Sequence, residues 1–79
     1  MKAVVHVFLK PGVLDVQGKA VENALHGLGW SGARDVRVGK VIELDIDAPD
    51  AATARSQVEA MCDKLLANPT IEGYRVEVG

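Results

Sequence analysis

The side chains able to do acid-base, nucleophilic or metal chemistry are few in this sequence: two histidines, one cysteine and carboxylates scattered among cations. His6 falls in a strand-like run and His26 in a helical one, and neither has a carboxylate or thiol at a recognisable ligand or relay spacing. An interface role on the second face of the first strand is the better expectation for His6. Cys62 adjoins Met61 on the apolar side of a helical stretch, with Asp63 and Lys64 beside it, which favours a structural thiol over a reactive one. Without a second cysteine it forms no internal disulfide and no CxxC pair, so a reducing compartment is expected. Gly27-Leu28-Gly29 and Gly32 do not make GxGxxG after a strand, and GxxxxGK[ST] is absent, so neither common phosphate loop is present. Trp30 follows two glycines at a helix end and is expected to plug the edge of a small core. Lys10, Arg34, Arg37, Lys40 and Arg75 alternate with Asp35, Glu43 and Glu77, which reads as a solvated surface.

Those side chains must be positioned by a chain of 79 residues, a length for one domain over residues 1–79 with a thin core. A net charge of -2 supplies no field for nucleic acid or anionic lipid. No apolar run reaches membrane-spanning length, and the opening residues alternate and stop at Lys10-Pro11-Gly12 unlike a signal peptide, so a cytoplasmic chain is expected.

Lys2 to Leu9 is rich in β-branched residues and reads as a strand, with Ala3, Val5, Val7 and Leu9 on one face and Val4, His6 and Phe8 on the other. Both faces need cover. From Asp15, a natural N-cap, Val21, Ala24, Leu25 and Leu28 form a helical stripe that Gly27 and Gly29 bring to an end. Arg34–Val38 and Val41–Asp47 alternate around Gly39-Lys40 and predict a hairpin. Only an odd loop, with Val38 opposite Ile42, keeps Val36, Val38, Ile42, Leu44 and Ile46 on one face. Pro49 and Asp50 start a second helix with Ala51, Ala54, Val58, Met61 and Leu65 along its stripe, flanked by Cys62 and Leu66. Asn68-Pro69 ends it. Tyr74–Val78 is a last edge strand. The order βαββαβ predicts an α+β, ferredoxin-like two-layer sandwich with a four-stranded antiparallel sheet and two helices on one face. Val4, His6 and Phe8 are then left open on the other face, which predicts self-association, at least to a dimer.

Other functions on this topology have requirements the chain does not meet. An acylphosphatase-like loop needs arginine where this chain has Pro11-Gly12-Val13-Leu14. An RNA-recognition sheet needs aromatic platforms, and a metallochaperone needs CxxC. The segments Leu9–Ala20 (LKPGVLDVQGKA), Val36–Lys40 and Cys62–Tyr74 (CDKLLANPTIEGY) resemble PurS, the family of small subunits of phosphoribosylformylglycinamidine (FGAM) synthase, in order along essentially the whole chain. The resemblance implies a part in ATP- and glutamine-dependent amidation of formylglycinamide ribonucleotide. In that family PurL holds the synthetase site, PurQ is the glutaminase, and the small subunit joins them without catalytic residues of its own. It also implies no cofactor or metal on this chain, with ATP, Mg and glutamine used by the complex. The family usually has proline where Val16 stands, so the helix start is less constrained here. Docking onto PurL or PurQ is expected at Lys10, Leu14, Asp15, Gln17, Gly18, Arg37, Gly39 and Lys40, and self-association at Val4, His6 and Phe8. The alternative from another class is a ferredoxin-like regulatory domain binding a small molecule at a dimer interface.

Overall fold

Valine-rich Lys2–Leu9 forms β1, and alternation along it decides what the rest of the chain covers. In the computed structural model, which describes residues 1–79, β1 is the centre of a three-stranded antiparallel sheet. Its neighbours are β2 (Lys40–Asp45) and β3 (Glu72–Val78), in the order β2-β1-β3. Val5 pairs with Ile42 on one side and Val76 on the other, and Ala3 with Leu44 and Val78, so these apolar residues share one face. Helix α2 (Ala51–Met61) lies on that face, started by Asp50, whose carboxylate accepts the Thr53 N–H at 2.7 Å. Ala3, Val5, Ala54, Val58 and Cys62 are fully buried together.

After Met61 the helix widens into a π turn, Cys62–Leu66, closed by the Ala67 N–H donating to the Cys62 carbonyl at 3.0 Å. The wider turn rotates the residues beyond it about the helix axis. The buried stripe is therefore Ala54, Val58 and Cys62, continued by Leu66 and Ala67, whereas Leu65, expected on the stripe, is 82% exposed and Met61 lies at the surface.

Helix α1 (Val16–Gly27) begins at Asp15 as expected and is followed by Gly29 at φ 104°, a left-handed conformation that glycine takes without strain. Its place in the fold differs from the expectation of two helices on one sheet face. Gly18 is its only buried residue, Val21 and Leu28 are open, and the molecule is elongated, 50 × 24 × 14 Å. Trp30, 61% exposed, plugs no core.

The physical reason is the missing fourth strand. Arg34–Val38 is not a strand, so the predicted hairpin and its Val38–Ile42 register do not form, and β2 pairs only with β1. Three strands make a floor roughly 14 Å wide, enough for one helix about 10 Å across, and α2 occupies it.

Candidate docking surface

Asp15 sits at the start of α1 with its carboxylate 2.7 Å from each of two backbone donors. The Gly18 N–H donates to Oδ1, the ordinary N-cap bond, and the Val38 N–H donates to Oδ2 from far along the chain. About two helical turns on, on the same side of α1, Glu22 Oε1 accepts the Val36 N–H at 3.3 Å. Alternate amides of an extended segment point the same way, so one helix face holds both. These two carboxylates take up the donors that a hairpin ladder would have used.

Arg37, between the two held valines, closes the network from the other side. Its Nη1 donates to the Val13 carbonyl at 3.1 Å and its Nη2 to the Lys10 carbonyl at 3.2 Å. Lys10 Nζ donates to the Pro69 carbonyl at 2.6 Å, and the Lys10 N–H to the Ile71 carbonyl at 2.8 Å. The loop after β1, the segment 36–38 and the turn before β3 are thereby joined. Gly12, at φ 88°, shapes the turn in which the Val13 N–H donates to the Lys10 carbonyl.

Two glycines permit the close approach. A Cβ on Gly18 would fall on the Val36 carbonyl oxygen, and one on Gly39 would lie 2.5 Å from the Val7 carbonyl oxygen. Gly18→Ala is expected to lower stability by about 1–2 kcal/mol, although alanine in a helix interior normally stabilises relative to glycine, because the obstructing atom is backbone. Thermal unfolding should show a midpoint lower by roughly 5 °C or more. An unchanged or raised midpoint would mean that segment 36–38 yields freely.

Backbone hydrogen bonds hold the carboxyls of Asp15, Glu22 and Asp50 below their ordinary values of 3.8, 4.5 and 3.8. The largest cause is Gly18 N–H for Asp15, Val36 N–H for Glu22 and Thr53 N–H for Asp50. A depressed native value means that the unfolded chain takes up protons first. The stabilisation is therefore complete above the unfolded values and lost as pH falls through the native ones. Urea unfolding midpoints should be flat from pH 7 to about 5 and decline below about 4. A midpoint that holds steady to pH 3 would contradict these bonds.

Lys10, Asp15, Gly18 and Arg37 thus form one network, and Gly39 packs against the Val7 carbonyl beside it. Gln17 and Lys40 line a notch of about 200 Å³ beside it, with Phe8 and Glu72, whereas Leu14, 76% exposed, lies beside a second notch lined by Lys19, Glu22, Val36 and Arg37. Lys10 and Arg37, read from charge alternation as solvated and from the resemblance as docking residues, are engaged with backbone carbonyls. Val4, His6 and Phe8 share the sheet face away from α2. Phe8 is 45% exposed, His6 Nε2 is 3.5 Å from Glu77, and the register sets Val41 beside His6. His26 Nε2 donates to the Ala33 carbonyl at 2.6 Å. Cys62 is buried and its thiol pushed up by desolvation. No three His, Cys, Asp or Glu side chains gather where a metal ion could be held, and no helix is long and apolar enough to cross a membrane.

Sequence reading missed Glu22, the Val36 and Val38 amides and the Pro69 carbonyl as parts of this surface. The spacing of Asp15 and Glu22 was a signal that both lie on one side of the helix. It did not say which backbone they would meet.

The family model for PurS, phosphoribosylformylglycinamidine (FGAM) synthase, matches residues 2–79. The FGAM synthase subunit PurS of Synechocystis is 51% identical over 74 residues, covering 94% of this chain and 74% of the relative. Among solved structures, Bacillus subtilis PurS superposes with a TM-score of 0.88 at 49% identity, covering 99% of this chain and 96% of that one. A chain of the PurLQS structure from Thermotoga maritima gives 0.88 at 30% identity, covering 96% and 93%. Sequence match and backbone agree from end to end of the described residues, and the chain belongs to the PurS family.

Proposed function

We propose that this chain is a non-catalytic assembly subunit of FGAM synthase, the ligase that converts formylglycinamide ribonucleotide to FGAM with ATP and glutamine in de novo purine biosynthesis. It brings the PurQ glutaminase and the PurL synthetase together for ammonia transfer. The observation that carries the reading is the joined surface of Lys10–Gly18 and Arg37–Lys40, a preorganised set of loops in which the side chains of Lys10, Asp15 and Arg37 hold backbone. The Thermotoga maritima structure named PurLQS, which contains a chain of the same fold, supports it. ATP, Mg and glutamine belong on this reading to the partners. A buried, unpaired Cys62 suits a reducing compartment, and the reading places the chain in the cytoplasm.

The chain acts on this reading as a dimer or higher oligomer. Its accessible surface, 5446 Å², exceeds by about 800 Å² what a compact monomer of 8.4 kDa exposes, close to one partner's share of a standard interface. No notch exceeds about 300 Å³, at the lower end of small-molecule sites, which favours assembly over effector sensing. Reconstitution of PurL and PurQ with and without the chain, supplied with glutamine or with ammonia, is the test. Equal glutamine-dependent rates would defeat the reading.

A further inference from the structure

We infer that Asp15 is a positioning residue for partner docking, a latch that acts on the partners without touching them. The inference rests on the docking reading above. Asp15 is 5% exposed and both carboxylate oxygens are occupied, so it has little left to offer a partner directly. One oxygen caps α1. The other reaches across the fold to the Val38 amide, which neighbours Arg37 and Gly39 in the chain and stands two residues before Lys40 at the start of β2.

Segment 34–39 has no strand partner and no buried side chain, so few tethers hold it. They are Asp15 on Val38, Glu22 on Val36, and the Arg37 fork on Lys10 and Val13. Of the two carboxylate tethers, the Asp15 bond is the shorter, 2.7 Å against 3.3 Å, and the less exposed to water. A charge-assisted bond to a backbone amide in that setting is among the stronger single contacts available. Asp50 caps α2 in the same way, yet only one of its oxygens has a backbone partner. The second bond of Asp15 is thus more than a helix start requires.

With the latch open, the segment samples other conformations and the joined surface exists only part of the time. Apparent affinity for the partners then falls by the fraction of molecules still in the docking arrangement. The chain remains folded, because α2 and the sheet hold the core without the segment.

Asp15→Ser separates the two bonds: a serine hydroxyl still caps the helix at Gly18 but cannot also reach Val38. The expected results are a native far-UV spectrum, a Val38 amide exchanging about tenfold faster or more, and a concentration for half-maximal glutamine-dependent FGAM formation about tenfold higher. The maximal rate should return at saturating chain, because latching changes binding and leaves the chemistry to the partners. Should the serine variant fail to fold, Asp15→Asn is measured instead. Its amide oxygen caps α1 while its NH₂ opposes the Val38 donor, and the same two shifts are expected.

Rapid Val38 exchange with unchanged half-saturation would overturn the latch. A lowered maximal rate at saturating chain would overturn it too. Arg37→Ala with Lys40→Ala, measured alongside, tells the two claims apart. If that double variant keeps normal half-saturation, docking does not occur at this surface and the latch falls with it. If it weakens binding and the Asp15 variants do not, the docking reading stands and the latch alone is wrong.

Discussion

Without this chain, reconstituted PurL and PurQ should form FGAM from glutamine at about a tenth of the complete rate or less, while formation from high free ammonia largely survives. Holding two partners on one scaffold turns a bimolecular transfer into an internal one, and ammonia released from glutamine then meets the activated amide before it is lost to bulk solvent. Ammonia supplied in excess needs no such delivery. Loss of a catalytic group would abolish the reaction with either nitrogen source, so the contrast between sources carries the information. On the proposed reading the chain supplies no such group. Its two histidines are tied to Glu77 and to the Ala33 carbonyl, and its thiol is buried and pushed toward the neutral form. A rate dependent on a third small molecule would instead point to effector sensing. Each outcome is read from FGAM production in four mixtures: with and without the chain, on each nitrogen source.

Phe8→Asp should convert the assembly to a species near 8.4 kDa in sedimentation at low micromolar concentration, whereas Lys2→Asp should leave it associated. Phe8 lies on the open sheet face with Val4, His6 and Val41, where a carboxylate would be desolvated against apolar surface on association. Lys2 sits at the end of β1, 57% exposed and 3.8 Å from Glu43, and its loss costs little at a solvated rim. The stripe of α1 is the competing face, since Val21 is 42% exposed and Leu28 71%. Val21→Asp therefore serves as the counter-measurement. Dissociation by Val21→Asp with Phe8→Asp still associated would move the self-contact to the helix, and a wild-type chain that sediments as a monomer would remove it altogether.

The parts of this molecule legible in its sequence are those set by short-range forces. Asp15 and Asp50 start their helices where the sequence says they do, Asn68-Pro69 ends the second, and Ala3, Val5 and Val7 are the buried face of the first strand. Each depends on neighbours within a few residues, and on a period of two or 3.6 that is written in the chain. The PurS resemblance was legible for the same reason, because its motifs are short and contiguous.

The hairpin, the packing of α1 and the docking network were not legible, since each was decided by groups far apart in sequence. Arg34–Val38 has the alternation of a strand, but alternation records only which side chains could share a face. Whether a ladder forms depends on which acceptors reach the amides, and in the structure Asp15, 23 residues from Val38, holds that amide. Once that amide is taken, the sheet stays three strands wide, one helix fills it, and α1 stands clear with an uncovered apolar stripe. The sequence by itself determined the family, the helix caps and every local element except the strand read over Arg34–Val38. The tertiary structure alone decided the sheet's width and the joining of loop to segment, because long-range hydrogen bonds compete for the same backbone donors that local pattern assigns to a strand.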